Sequence, residues 1–144
     1  MLETVEIIKY WIDLSDYDLS AAKSMLKSGH FLYVGFMCHQ TIEKALKAII
    51  ARDCAEGEIP PKSHNLIKLY EKAGLCDELS EKQIDFIDEL NPLNIESRYP
   101  QYKENIIQIL NIYSCKILLE RTEELLYWIK KRLFPPQPAT RTRL

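Results

Sequence analysis

Two runs of residues at helical spacing, separated by one glycine-centred reversal, occupy the first fifty positions of the chain. Val5, Ile8, Ile12, Ser15, Leu19, Ala22 and Leu26 advance by alternating steps of three and four, which holds one stripe against a neighbour over the whole of a helix. Lys27, Ser28 and Gly29 then supply a cation for the last turn, a turn former and a residue free to adopt positive φ at a C-cap. The second stripe is Phe31, Gly35, Cys38, Ile42, Ala45 and Ile49, widened by Leu46 and Ile50, and predicts a helix ending near Arg52 to Cys54. The two helices must pack antiparallel. Strand-like alternation is absent, so the chain is expected to be all-α.

The remainder continues the pattern with shorter pieces. Glu56 to Pro61 form the clearest break, because paired prolines remove donors and push preceding residues out of the helical region. Ser63 is placed to cap a short helix bearing Leu66, Ile67, Leu69 and Tyr70, ended by Gly74. Ser80 and Gln83 have the spacing of a capping box ahead of Ile84, Ile87 and Leu90. After an irregular connection through Asn91, Pro92, Asn94 and Ser97 to Pro100, one long helix is predicted from about Lys103 to Leu133, near 45 Å at 1.5 Å per residue. Its expected seam is Ile106, Leu110, Tyr113, Ile117, Leu125 and Ile129. Together these elements specify an up-and-down bundle of four to five helices, with short helices between long ones. Residues 1–134 read as one domain and 135–144, with Pro135, Pro136, Pro138, Arg141 and Arg143, as a frayed tail.

Composition narrows the function classes. With 144 residues, 47% hydrophobic and 28% charged, the chain can bury a core and is not a low-complexity sequence. Nineteen basic against twenty-one acidic residues leave a net charge of -2, which disfavours a broad duplex-binding face but allows a compact cluster for one nucleotide or one RNA end. Cys38, Cys54, Cys76 and Cys115 form no CxxC pair and read as reduced thiols, while His30, His39 and His64 lack zinc-ligand spacing. No metal or cofactor is expected. No apolar run suits a membrane span, and the N-terminus carries no leader-like segment, so a cytoplasmic location is expected.

The stretch Gly35 to Ala48 contains the order Gln40-x-x-Glu43-Lys44-x-Leu46-Lys47. Upstream stand Trp11, Asp18-Leu19 and Ala22, and downstream His64-Asn65-Leu66 and Ser97-Arg98-Tyr99-Pro100. In that order these elements resemble the HEPN domain family, over about residues 8 to 130. The resemblance implies an all-α bundle that usually dimerises, in a family that includes metal-independent endoribonucleases, nucleotide-binding modules and partners of small nucleotidyltransferases. The family's nucleases carry an arginine followed after four to six residues by a histidine. Here Arg98 is followed by Tyr99, Pro100, Gln101, Tyr102, Lys103, Glu104 and Asn105, and neither Arg52 nor Arg121 has such a histidine. The resemblance therefore implies a binding module without catalytic residues, serving a separate minimal nucleotidyltransferase. The alternatives are a degenerate ribonuclease using His64 or Arg98, and a purely structural dimerisation module.

Two readings of the polar residues stand side by side. Asp18 lies eleven residues before Gly29 and Gln40 eleven after, so both fall at one level of the hairpin. Gln40, Lys44 and Lys47 share a face at i+4 and i+3, and Glu43 and Lys47 are an i, i+4 pair. In the binding reading, Lys44, Lys47 and Arg98 hold a phosphate, Gln40 reads a sugar or base edge, and Tyr99 or Tyr102 stacks on a base. In the packing reading, Asp18, Gln40, Glu43, Lys44 and His64 form a polar seam that fixes helix register, since a partly buried charge needs a partner. Arg98 then anchors its loop through an ion pair, the tyrosines cover the core, and His64 caps or packs a loop. Tyr113, Leu118, Tyr127 and Trp128 surround the last helix at positions that cannot all face one seam, which predicts a two-fold homodimer burying some of them.

Overall fold

A computed structural model describes residues 3–54, 58–94 and 108–135. Among them are five α-helices, α1 (Thr4–Ser28), α2 (Phe31–Asp53), α3 (Leu66–Lys72), α4 (Glu81–Leu90) and α5 (Ile112–Leu133), with a 3-10 turn at Asn91–Asn94 and no strand. None of these helices is long and apolar enough to cross a membrane. The architecture is the all-α bundle expected from the sequence.

The reversal between α1 and α2 turns on Gly29, whose φ of 78° is left-handed and whose N–H reaches back to the Leu26 carbonyl. The hairpin it closes brings Ser15 to Thr41, where the buried serine hydroxyl donates to the main-chain carbonyl at 2.6 Å. Ile8, Ile12, Leu19 and Ala22 face α2, whereas Val5, at the start of the stripe, stays exposed.

Helix α2 is the axis of the bundle. Its burial extends beyond the expected stripe to Val34, His39, Thr41, Glu43, Lys47, Ala48 and Ala51. Contact with α1 on one side, α3 and the 3-10 turn on another and α5 on a third accounts for this. Small residues permit such crowding: a Cβ on Gly35 would stand 3.1 Å from Leu110 Cδ1 and 3.3 Å from Leu93 Cδ1. At the far end Arg52 Nη1 donates to the Arg132 carbonyl at 2.8 Å and ties α2 to the last turn of α5. The Cys38 and Cys115 thiols lie wholly inside, and burial pushes them up to about 12 and about 11, so they act as apolar packing groups.

Three local expectations are corrected. Helix α3 is capped by Asn65, whose side chain accepts from the Ile67 and Lys68 N–H groups, while Ser63 instead accepts from the Asn65 N–H. Asparagine one residue before the first helical position has the better reach to those donors. Helix α5 does not run on unbroken from Lys103. Asn111 starts it with a capping box to Ser114, leaving about 33 Å of helix at 1.5 Å per residue. The inward face of the helix is Cys115, Leu118, Leu119, Thr122, Leu125, Leu126, Ile129 and Leu133, of which Leu125 and Ile129 belong to the expected seam, as does the buried Leu110. Tyr113 and Ile117, assigned to the seam by sequence, are 76% and 56% exposed, and Leu118, one of the four residues that could not all face the seam, is in the core. Ile106 lies outside the described residues.

Candidate functional site

The polar residues of α2 separate into two clusters on adjoining flanks of the helix. In the first, Lys44 Nζ donates to Asp18 Oδ2 at 3.0 Å and to Gln40 Oε1 at 3.1 Å, and Gln40 Nε2 donates to Asn94 Oδ1 at 2.9 Å. A single line of hydrogen bonds thus joins α1, α2 and the 3-10 turn. Asp18 and Gln40 share a level, as counting from Gly29 requires, but they meet through the ammonium of Lys44. With side chains 19% and 16% exposed, Lys44 and Asp18 retain limited access to water.

The second cluster is more deeply enclosed. Glu43 is 1% exposed and offers its two carboxylate oxygens in different directions. Oε2 accepts from Lys47 Nζ at 3.1 Å, and Oε1 lies 2.8 Å from His64 Nδ1. The ammonium of Lys47 also sits 5.7 Å from the centre of the Trp11 ring, so α1 supplies a π-face to a cation that α2 has buried. A carboxylate only accepts, so the contact with Glu43 requires the His64 proton on Nδ1 and turns Nε2 away from it. His64 is the outward end of the cluster, its side chain 60% exposed.

His39 completes the inner surface. It is fully buried, its Nδ1 is 3.8 Å from Glu43 Oε1, and neither ring nitrogen has a hydrogen-bond partner among the described residues. Burial lowers its pKa to about 4, against the opposing pull of the Glu43 charge, so the ring is neutral in the folded protein.

The arrangement brings together Asp18, Gln40 and Lys44 in one group and Glu43, Lys47 and His64 in another. Arg98 and Tyr99 lie outside the described residues. Each lysine of the strip faces a carboxylate, Asp18 for Lys44 and Glu43 for Lys47, so the charge available to an anion there is offset locally. Three participants escape the sequence reading as site residues. Asn94 comes from fifty-four positions beyond Gln40 and carries no local signal. Trp11 counts in the sequence only toward the family resemblance, and His39 only as a histidine without zinc-ligand spacing.

The HEPN domain family matches residues 8–133. The chain belongs to the HEPN family. No curated protein matches it. Two solved structures share the HEPN fold of this chain. The crystal structure of TT1696 from Thermus thermophilus aligns with a TM-score of 0.71 at 18% identity, covering 87% of this chain and 97% of that one. The crystal structure of ST0689, an archaeal HEPN homologue, aligns with a TM-score of 0.65 at 18% identity, covering 88% and 97% respectively.

Proposed function

We propose that this HEPN chain is a binding module for a nucleotide or nucleotide-bearing substrate, that it acts with a separate minimal nucleotidyltransferase, and that it performs no chemistry itself. The observation that carries the reading is the absence of an arginine and histidine pair at nuclease spacing in a chain that matches the family over residues 8–133. The pairing of Lys44 with Asp18 and of Lys47 with Glu43 supports it, because an ammonium already neutralised is poorly placed to stabilise a developing phosphorane. Thermal denaturation with ATP, GTP and short RNA tests it. A ligand present at a hundred times its dissociation constant stabilises by about 2.7 kcal/mol, and a shift is expected with at least one of the three. No shift with any of them refutes the reading.

The module is proposed to work as a two-fold homodimer. Ile109, Ile112, Tyr113 and Ile117 leave an exposed apolar ridge at the start of α5, of the kind that marks interfaces. Light scattering at micromolar concentration should give twice 16.9 kDa, and a charged residue at Ile117 should halve that mass. A 16.9 kDa species from the unaltered chain contradicts the dimer.

One observation favours a second reading, metal-free RNA cleavage with His64 as general base. A buried carboxylate against Nδ1 leaves Nε2 as the basic nitrogen on an exposed ring. Incubation with single-stranded and structured RNA in EDTA separates the readings. The binding module leaves both substrates intact, whereas cleavage abolished by His64→Ala establishes the enzyme.

A further inference from the structure

Away from the α2 strip, α4 and α5 enclose an open cleft of about 640 Å³, within the range of small-ligand sites. Its walls combine aromatic rings and cations. Phe86, Tyr127 and Trp128 line it together with Lys82, Arg121 and Lys131. The rings and cations are moreover matched. Arg121 Cζ lies 4.4 Å from the Phe86 ring centre and Lys131 Nζ lies 4.5 Å from that of Tyr127, while Arg132, which does not line the cleft, covers one face of Trp128 at 3.5 Å and leaves the other face for a ligand.

Aromatic faces and guanidinium planes stack nucleobases with little regard to sequence, and ammonium and guanidinium groups take phosphate. The cleft also contains Asp85, Glu89 and Glu124, which balance the three cations and disfavour a bare polyanion. Carboxylates do suit the ribose hydroxyls and exocyclic amines of a nucleotide, which are donors. Arg121 is held by Glu89 at 2.9 Å, but the acid is 62% exposed and such a pair contributes little, so a phosphate can replace it at small cost. Lys82 and Lys131 form no ion pair among the described residues.

We infer that the cleft between α4 and α5 is the nucleotide subsite of this protein, taking a base against Tyr127 and Trp128 and its phosphate between Arg121 and Lys131. The inference rests on the binding reading above and moves the ligand from the α2 strip to α4 and α5. The phosphate and base belong either to a free mononucleotide or to the end of an RNA strand.

The two tryptophans report on the two places separately, Trp11 beside Lys47 in the strip and Trp128 in the cleft. The full chain labelled with nitrogen-15 is titrated with AMP to about 10 mM, a range that captures millimolar binding, and the two indole N–H resonances are followed. Trp128 should move and saturate while Trp11 stays in place. Lys131→Glu, an exposed substitution that leaves the fold intact, should weaken the titration by roughly tenfold, the loss expected when one phosphate-bound cation is reversed. Saturable movement of Trp11 alone overturns the cleft assignment and leaves the binding reading standing. If neither indole moves with AMP or with a 5′-phosphorylated tetraribonucleotide, the cleft assignment falls, and the thermal-shift series with ATP, GTP and RNA decides the binding reading separately. Equal affinity for AMP and the tetraribonucleotide identifies a free mononucleotide as the complement of the cleft, and tighter, Lys131-dependent binding of the tetraribonucleotide identifies an RNA end.

Discussion

Lys47→Met lowers the unfolding free energy by about 3–5 kcal/mol, the cost of leaving a buried carboxylate without its cation. Glu43 is 1% exposed, and Lys47 donates to it from a side chain that is itself 7% exposed, so water is poorly placed to replace the lost ammonium. Methionine keeps the length and the apolar stem against Trp11, which confines the loss to the charge. The equivalent change at Lys44 should cost less, about 1–2 kcal/mol, because Asp18 is 16% exposed and can recruit solvent. Urea denaturation at pH 7 measures both, read as a fall in midpoint at constant slope. Similar losses at the two positions would contradict the difference in enclosure between the clusters.

Acid should destabilise the protein well before its carboxylates titrate, and His39 is the reason. Its pKa falls from an ordinary 6.5 to about 4 in the fold, chiefly through burial, so the folded state refuses a proton that the unfolded chain accepts. Above pH 6.5 both states hold a neutral ring and the full stability is present. As pH falls from 6.5 to 4 the unfolded chain becomes protonated first, and about 3 kcal/mol is lost across that window. His39→Leu removes the titration together with two buried ring nitrogens that have no partner among the described residues. Urea midpoints at pH 7 and pH 4.5 should therefore lie closer together in the variant than in the parent protein. An unchanged separation would show that the acid sensitivity resides elsewhere.

The hairpin is legible in the sequence because both of its determinants are local, a stripe at helical spacing on each side and a glycine between. The Ser80–Gln83 capping box is legible for the same reason. The start of α5 is not, because Ile106, Ile107, Leu110 and Ile112 keep an apolar rhythm across the place where Asn111 begins a new helix, and that rhythm masks the Asn111–Ser114 spacing. Carrying the phase of Ile106 and Leu110 across that start moves Tyr113 and Ile117 from solvent to seam. Within the site, the common level of Asp18 and Gln40 follows from counting residues on either side of Gly29. The division of the strip does not, because Gln40, Glu43, Lys44 and Lys47 are interleaved along one helix and only their partners on other elements tell them apart. Those partners, Asn94 for Gln40, His64 and His39 for Glu43, and Trp11 for Lys47, are contacts between groups whose spacing no linear pattern encodes.

Glu43 and Lys47 hold each other's charge inside the bundle, and a double-mutant cycle measures that dependence. Glu43→Gln keeps an acceptor for His64 while removing the charge, Lys47→Met removes the opposite charge, and the double variant removes both. Urea denaturation of the four proteins at pH 7 gives the coupling free energy. A buried pair that stabilises mainly by avoiding an unpaired charge predicts strong non-additivity, with the double variant at least as stable as Lys47→Met alone and a coupling of about 2–3 kcal/mol. Additive losses, with a coupling within about 0.5 kcal/mol of zero, would show that the two charges do not depend on each other.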